Sequence, residues 1–441
     1  MRLYEFGHQF KNGPCVSTQI ELGLARLDLC PLGHADHTHI LNDLGYSFSC
    51  CFDQKGNISD INRAIELFQT RLVLCPLGHP EHAEALEGLA VCLWKHYCIQ
   101  KNIAELNRII EMQQMILDLC PLGHSHHATA LGELGTYLSE RYHMEGEYMD
   151  LNMAIEMGEK RLNLCPTGHP HHHQALGNLA VSLNTRYHKQ GNLADLNRAI
   201  YLQEKKLELC PPGHHGHGHA LQNLAMFLKD HFKVGKNYSD LIRAIKLFKE
   251  ALATYSVQHR HFAFITGQLA ATILLSSKST HKSHPPGQSI LLPDEAFATY
   301  RLLKECGPAV SLNMWNATQA WIQDAEKHNH SSVLEAYQTS LKTLDHFTSL
   351  NASLDMRHKT VQARMADLAN NAFSCAIRLG DFWMAVELFE QGRGILWNQF
   401  ACLNTSTTAL ESRGNRGREL LRIMTSIFRY SISDHDSRPR R

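Results

Sequence analysis

The amino-acid sequence predicts an all-α fold, a right-handed α-solenoid of helical hairpins that repeat every 45 residues. Five copies of Leu-Cys-Pro-Xaa-Gly-His begin at Leu29, Leu74, Leu119, Leu164 and Leu209, each 45 residues after the last. A fixed period of this length is typical of repeat proteins, in which each unit buries its apolar face against its neighbours. Each repeat contains two stretches with helical periodicity and no alternating pattern typical of a β-strand.

The two helices of a repeat are justified by the stretch from His82 to His124. In the first helix, one face carries apolar residues at i, i+3 and i+4 spacings: Ala85, Leu86, Leu89, Ala90 and Leu93. The second helix has a similar face: Leu106, Ile109, Ile110 and Leu117. Gly191 and Asn192 stand between the corresponding stretches of a later copy, where they provide the backbone freedom of a helix end.

This hairpin resembles the tetratricopeptide repeat (TPR). That family has a small residue late in the first helix, another early in the second, and a closing proline; the matching sets here are Ala90, Ile109 and Pro121, and Ala180, Ala199 and Pro211. The period exceeds the family's usual 34 residues by 11, which implies longer helices and a wider connector. A second small position of the family is occupied by Arg71, Arg161 or Lys206, which makes this a variant class.

Residues 1 to about 399 are similar to a narrower group. The Leu-Cys-Pro-Xaa-Gly-His connectors and the segment from Gly191 to Ile200 look like the tandem arrays of mushroom-type fungi (basidiomycetes). In that group the array usually precedes a caspase-like domain called CHAT. The resemblance therefore implies a CHAT-associated repeat array, here lacking that domain.

Composition narrows the function classes. Lys plus Arg and Asp plus Glu both number 43, so the formal charge is zero and indicates neither a nucleic-acid nor a membrane partner. No apolar run approaches the ~20 residues that span a bilayer, and the N-terminus has no apolar signal core, so a cytoplasmic location is expected.

Five of the 13 cysteines occupy one repeat position. Because helices pack about 8 to 10 Å apart and disulfides need Cα atoms within about 7 Å, reduced thiols are expected.

The predicted organisation has three parts. Tandem repeats occupy residues 1–257, degenerate helical repeats occupy 258–399, and a flexible basic tail occupies 400–441. Residues 276–293, rich in Ser, His and Pro, are expected to form a loop. Further helices are predicted at 294–306, 309–328, 331–349 and 353–379, with tryptophans such as Trp315, Trp321 and Trp383 in the core.

The connector motif is the sharpest candidate for chemistry. Cys75, His79 and His82 exemplify Cys-Pro-Xaa-Gly-His-Xaa-Xaa-His, and Cys and His are the usual zinc ligands. A structural zinc site normally has four ligands, whereas each copy supplies three. The favoured interpretation assigns no metal: the cysteine fills the core, proline ends a helix, and the histidines cap or pack at the next helix start.

Catalytic motifs are absent from the sequence. There is no phosphate-binding loop, no His-Glu-Xaa-Xaa-His and no Gly-Xaa-Ser-Xaa-Gly. The residues after Gln399 are too few to build a caspase-like domain. We therefore expect no enzymatic activity and no cofactor.

Binding is the function class that remains. An array of hairpins forms a groove lined by its first helices, and in related repeats an asparagine there clamps an extended peptide backbone. Asn178 and Asn223 occupy that position, whereas its equivalents are Asp43, Gly88 and Glu133. Further along the same helices, Arg141 and Arg186 could meet an acidic ligand.

Two functional hypotheses follow. The first is a non-catalytic scaffold that binds a protein or peptide on the concave helical face. The alternative is the regulatory or sensor arm of a caspase-like (CHAT) protease whose catalytic domain is missing from this chain. The open ends of the array could also stack on a second copy.

Overall fold

The computed structural model describes residues 16–34, 36–55, 57–124, 126–259, 261–279, 293–306, 312–350 and 367–394. Within these ranges the regular structure is helical and contains no strand. The protein is an all-α helical-repeat solenoid, which confirms the predicted fold class. The expected basic tail at 400–441 lies outside the described residues.

Antiparallel hairpins make up the repeats. The first described helix, α1, spans Val16–Leu29 and is the second helix of a repeat, as the sequence indicates. The first helices of the following five repeats are α2 (His37–Lys55), α4 (His82–Gln100), α6 (His127–Glu145), α8 (His172–Gln190) and α10 (His217–Gly235). Their second helices are α3 (Ile58–Leu74), α5 (Ile103–Leu119), α7 (Tyr148–Leu164), α9 (Leu193–Leu209) and α11 (Tyr238–Thr254).

Local sequence sets the turn inside each hairpin. An asparagine precedes four of the second helices, and its side chain accepts a hydrogen bond from the amide two residues later: Asn57, Asn102, Asn192 and Asn237. This is the usual N-cap interaction. Four of the first helices end in a left-handed residue, which is glycine in two copies, Gly146 and Gly191, and lysine in two others, Lys101 and Lys236. The polar turn therefore fixes where each helix ends.

In the early repeats, from Tyr46 to Met157, the core lies between the two helices of each hairpin and extends to the next. Leu86, Leu89 and Leu93 of α4 are buried, as the periodicity predicts. The TPR-like small positions are buried too, with Ala90, Ile109, Ala180 and Ala199 at most 1% exposed. These residues keep the helices close and let the apolar ribbon continue along the array.

The chain divides into two compact units, residues 1–215 and residues 216–441. In the first unit, each helix from α1 to α8 packs against the next one in sequence. First helices of successive repeats also contact each other, α2 with α4 and α6 with α8. They therefore lie side by side on one face, which we call the first-helix face. The boundary predicted at residue 257 from the end of the motif stays a prediction.

The second unit continues with α10 and α11 and then with less regular helices. These are α12 (Phe262–Ser279), α13 (Pro293–Arg301) followed by a 3₁₀ turn (Leu302–Glu305), α14 (Leu312–Lys327), α15 (Val333–Leu350), α16 (367–378) and α17 (382–394). The predicted loop at 276–293 begins too early, because α12 runs to Ser279; residues 280–292 lie outside the described part. Trp321 is fully buried as expected, but Trp383 is 88% exposed, so its assignment to the core is wrong.

In the described residues, no helix has the length and apolar character needed to cross a membrane.

Candidate functional site

The connector motif is a hydrogen-bonded turn. In the copy at Cys75, the His79 amide donates to the Pro76 carbonyl (2.9 Å), and the Glu81 amide donates to Nδ1 of His79 (3.1 Å). Nδ1 of His82 lies 2.6 Å from the carbonyl oxygen of Cys75. The motif therefore positions the start of the next first helix.

The same histidine contact recurs along the array. Three other copies place the imidazole Nδ1 2.5 to 2.6 Å from the cysteine carbonyl oxygen: His37 with Cys30, His127 with Cys120, and His172 with Cys165. Burial raises the pKa of the thiols of Cys75, Cys120, Cys165 and Cys210. Neutral thiols suit the role of core filler that the sequence suggests.

The ligand set proposed from sequence is not the one that converges. The ligand atoms of Cys75, His79 and Glu81 lie within 4.8 Å of one another, whereas His82 turns to the Cys75 backbone. Glu81 is also held by the guanidinium of Arg71 at 3.2 Å. The positive charge of Arg71 beside this trio opposes the binding of a cation there.

Arg141 and Arg186 tie helices together. The Arg141 guanidinium donates to both carboxylate oxygens of Asp150 (2.6 and 2.7 Å), at the start of the following helix. Arg186 makes the same bidentate pair with Asp195 (2.7 and 2.8 Å). Both arginine side chains are 25% exposed, and their contact with an acidic ligand stays a prediction. Their ion pairs join the two helices of a hairpin.

A row of two buried arginines and one partly buried lysine lies beneath the first-helix face. It consists of the residues that replace the second small TPR position: Arg71, Arg161 and Lys206. A Cβ on Gly132 would overlap the Arg161 guanidinium, and a Cβ on Gly177 would overlap the Lys206 ammonium. Glycine on the neighbouring first helix thus makes room for the side chains of Arg161 and Lys206.

These cations differ in how they are neutralised. Arg71 is fully buried and donates to Glu81 and Glu84, 3.2 Å from each. Arg161 is 6% exposed and donates to the neutral Oε1 of Gln174 at 3.3 Å. Within the described residues, Arg161 forms no ion pair and its Nε lacks a hydrogen-bond acceptor. An unpaired buried guanidinium is costly and marks a place where an external acceptor would be stabilised.

A polar pocket opens directly above Arg161, between α6 and α8. Its volume is about 160 Å³, and we call it the α6–α8 pocket. The lining residues are Thr129, Gly132, Glu133, Thr136, Arg161, His171, Gln174 and Asn178. A second pocket of similar volume adjoins it and shares Gly132, Thr136, Arg161 and Asn178. Together they form a short groove on the first-helix face.

Glu133 supplies the second unsatisfied group of the α6–α8 pocket. Its Oε2 is buried and has no hydrogen-bond donor among the described residues. Desolvation, together with the nearby Glu87 carboxylate, raises the pKa of this carboxyl to about 7. Judged from the described part of the chain, the pocket therefore contains an acceptor without a donor on Glu133 and a donor without an acceptor on Arg161.

Two of the positions singled out in the sequence meet in this pocket. Asn178 is exposed and lines it, together with Glu133, its equivalent one repeat earlier. Asn223 is partly buried on α10 in the second unit. Sequence reasoning noted Arg161 as a departure from the family pattern, but it gave no functional role to Arg161 or Glu133. The sequence did contain a signal for both residues. Arg161 stands where the family has a small residue, and Glu133 stands where it has an asparagine.

A larger pocket of about 640 Å³ lies among α5, α6 and α7 and is mostly apolar. Its lining includes Leu117, Leu131, Leu134 and Met157. None of its lining residues carries a buried unsatisfied polar atom. The α6–α8 pocket is therefore the better candidate for specific recognition.

No protein-family model matches the chain, and no curated protein matches it. Similar solved structures include the human IFIT1 dimer with PPP-AAAA, at 13% identity and a TM-score of 0.43, covering 86% of this chain and 78% of that chain. They also include nearly identical TPR-like repeats of a putative kinesin light chain from Podosopora anserina, at 16% identity and a TM-score of 0.36, covering 51% of this chain and 100% of that one.

A third similar structure is the C-terminal part of a TPR repeat-containing protein from Cytophaga hutchinsonii. It is 13% identical, with a TM-score of 0.38, and the match covers 68% of this chain and 98% of that chain. At these identities and TM-scores the likeness concerns the helical-repeat architecture alone.

Proposed function

We propose that this protein is a non-catalytic scaffold that binds an extended segment of another protein on its first-helix face. The observation that carries the proposal is the α6–α8 pocket, where Glu133 and Arg161 each present a buried polar atom without a hydrogen-bond partner among the described residues. A ligand that satisfies both atoms would gain more than an exposed contact provides, because an unsatisfied buried group costs about 1 to 3 kcal/mol.

A peptide group has the chemistry that this pair requires. Its carbonyl oxygen accepts from Nε of Arg161, and its N–H donates to Oε2 of Glu133. Asn178 carries both a donor and an acceptor at the rim, so it suits a second main-chain contact. This arrangement favours an extended main chain over a helix, whose backbone groups are already paired.

Peptide display on the intact protein tests the proposal. Peptides selected on the wild-type chain are measured against the double variant Glu133→Ala, Asn178→Ala and against Lys160→Ala, a control on α7 whose side chain is 54% exposed. We expect at least a ~10-fold loss of affinity in the double variant, about the value of one or two lost hydrogen bonds. Equal affinity for the double variant and the wild type would place the binding surface elsewhere.

RNA is the alternative class of ligand. The similar IFIT1 structure is described with PPP-AAAA. The formal charge of zero in this chain favours a protein partner, because RNA binding relies on a basic surface. A filter-binding assay with 5′-triphosphate RNA is expected to show no binding at physiological salt; tight binding would contradict the choice of a protein ligand.

A further inference from the structure

Three histidines from two repeats converge at one edge of the first unit. His173 is the second residue of α8, and His214 and His215 follow α9 in the next connector. One ring nitrogen from each lies within 4.8 Å of those of the other two. The ring centroids of His173 and His214 are 5.1 Å apart, and those of His214 and His215 are 4.3 Å apart.

Only one of the three belongs to the repeating motif. His214 is the motif histidine, with His79, His124 and His169 as its equivalents. The other two are additions at this single place in the array. Where the array has His173 and His215, the corresponding residue pairs of earlier repeats are Thr38 with Pro80, Ala83 with Ser125, and Ala128 with Pro170. Two imidazoles therefore appear together at positions that face each other, and the repeat architecture itself does not require either one.

His173 is held with a ring nitrogen available to a ligand. One nitrogen hydrogen-bonds to the Pro170 carbonyl, and Nε2 is buried without a partner among the described residues. Since Nδ1–H donates to a carbonyl, Nε2 carries the lone pair. Metal-binding histidines are commonly oriented in this way, by a backbone carbonyl on the opposite ring nitrogen.

We propose that His173, His214 and His215 form a binding site for a divalent transition-metal ion such as Zn²⁺. Three imidazoles with a fourth, open position are a standard zinc arrangement. Zn–N bonds of about 2.0 to 2.1 Å place tetrahedral nitrogens about 3.3 Å apart. Small rotations of the rings of His214 and the exposed His215 close the present separation, while His173 stays fixed.

Lys206 is the charge that opposes this site. Its ammonium acts electrostatically on His173 and forms no ion pair within the described residues. A neighbouring positive charge weakens the binding of a cation. Replacing Lys206 with methionine therefore provides a variant in which the site should become stronger, an effect that damage to the fold would not produce.

The experiment is a zinc titration of the full-length, tag-free, metal-stripped protein by competition with a chromophoric chelator. The wild type is expected to bind one zinc ion more tightly than the background set by its 30 histidines. His173→Ala and His215→Ala should each weaken that site at least ~10-fold. Lys206→Met should strengthen it about fivefold.

A matched control separates the trio from the motif. His214→Ala and His169→Ala alter the same motif position, but only the first removes a member of the trio. We expect zinc affinity to fall in His214→Ala and to remain unchanged in His169→Ala. His215→Ala gives an independent reading, because His215 is exposed and its removal leaves no cavity. Wild-type zinc affinity in both His173→Ala and His215→Ala would overturn the proposal.

Discussion

At the residue scale, the same repeat position performs different tasks in different copies. Arg71 meets two glutamates, whereas Arg161, 90 residues later, lies against Gly132 and meets an uncharged glutamine. The backbone is repeated, but the charge balance around the buried cation is not. Specific recognition in a repeat array arises from such differences, because the apolar positions that recur in every repeat hold the hairpins together.

The pH dependence of stability tests the environment of Glu133. Its folded pKa of about 7 exceeds the ordinary value of 4.5, so the folded state retains a proton that the unfolded state has lost. The contribution of Glu133 to stability is therefore present below pH 4.5 and is lost as the pH rises through 7. As the pH rises from 5 to 8, we expect the free energy of unfolding of Glu133→Gln to increase by on the order of 2 kcal/mol relative to that of the wild type.

Urea unfolding of both proteins at the two pH values measures this difference. The control is Glu66→Gln, whose side chain is 61% exposed and should show no comparable change. A constant difference between wild type and Glu133→Gln across this range would mean that the carboxyl remains ionised in the folded protein.

At the element scale, the sequence predicted the helices of the regular repeats well, because apolar periodicity and the Asn or Gly at turns act locally. The sequence predicted the structure less well where contacts between distant residues determine the conformation or the burial of a side chain. The loop after α12 was placed too early, and Trp383 is exposed although its helix has an apolar pattern. In the candidate site, Asn178 was found from its repeat position. The meeting of Glu133 and Arg161, 28 residues apart, depends on packing between hairpins.

Close helix packing gives a second prediction. The Phe68 ring of α3 is fully buried between Gly45 of α2 and Gly88 of α4. A Cβ on Gly88 would overlap this ring, which already lies against Gly45 on its other side. We expect Gly88→Ala to lower the free energy of unfolding by about 2 to 3 kcal/mol.

The matched control for Gly88→Ala is Gly235→Ala at the end of α10, where an added Cβ meets no atom within 4 Å. Alanine favours helix more than glycine, so this control should be neutral or stabilising by up to about 1 kcal/mol. Equal melting temperatures for the two variants would argue against the close contact at Phe68.

The ion pair between α6 and α7 gives a third prediction. Asp150 is 4% exposed and is neutralised by the bidentate Arg141 pair. Arg141→Ala leaves that carboxylate buried without its partner, and we expect the free energy of unfolding to fall by about 2 kcal/mol. This is less than the cost of breaking a fully buried ion pair, because Arg141 is partly exposed. Arg63→Ala, which breaks the exposed pair with Glu66, should cost under ~0.5 kcal/mol in the same urea measurement.

At the scale of the whole molecule, both candidate sites belong to the first unit. The α6–α8 pocket and the histidine trio use residues between 129 and 215. Recognition by this chain is therefore proposed to be a property of residues 1–215. The alternative role, the regulatory or sensor arm of a CHAT protease whose catalytic domain is missing from this chain, stays a prediction. Self-association through the array ends stays a prediction as well.

A fragment of residues 1–215 tests whether the first unit stands alone. Stability in a repeat array is approximately a sum of repeat terms and nearest-neighbour interface terms, so removing later repeats should lower stability without abolishing folding. We expect the fragment to remain helical by circular dichroism, to unfold cooperatively at a lower melting temperature than the full chain, and to retain the zinc and peptide affinities of the intact protein. A fragment that folds but binds neither ligand would show that residues 216–441 contribute directly to the binding surfaces.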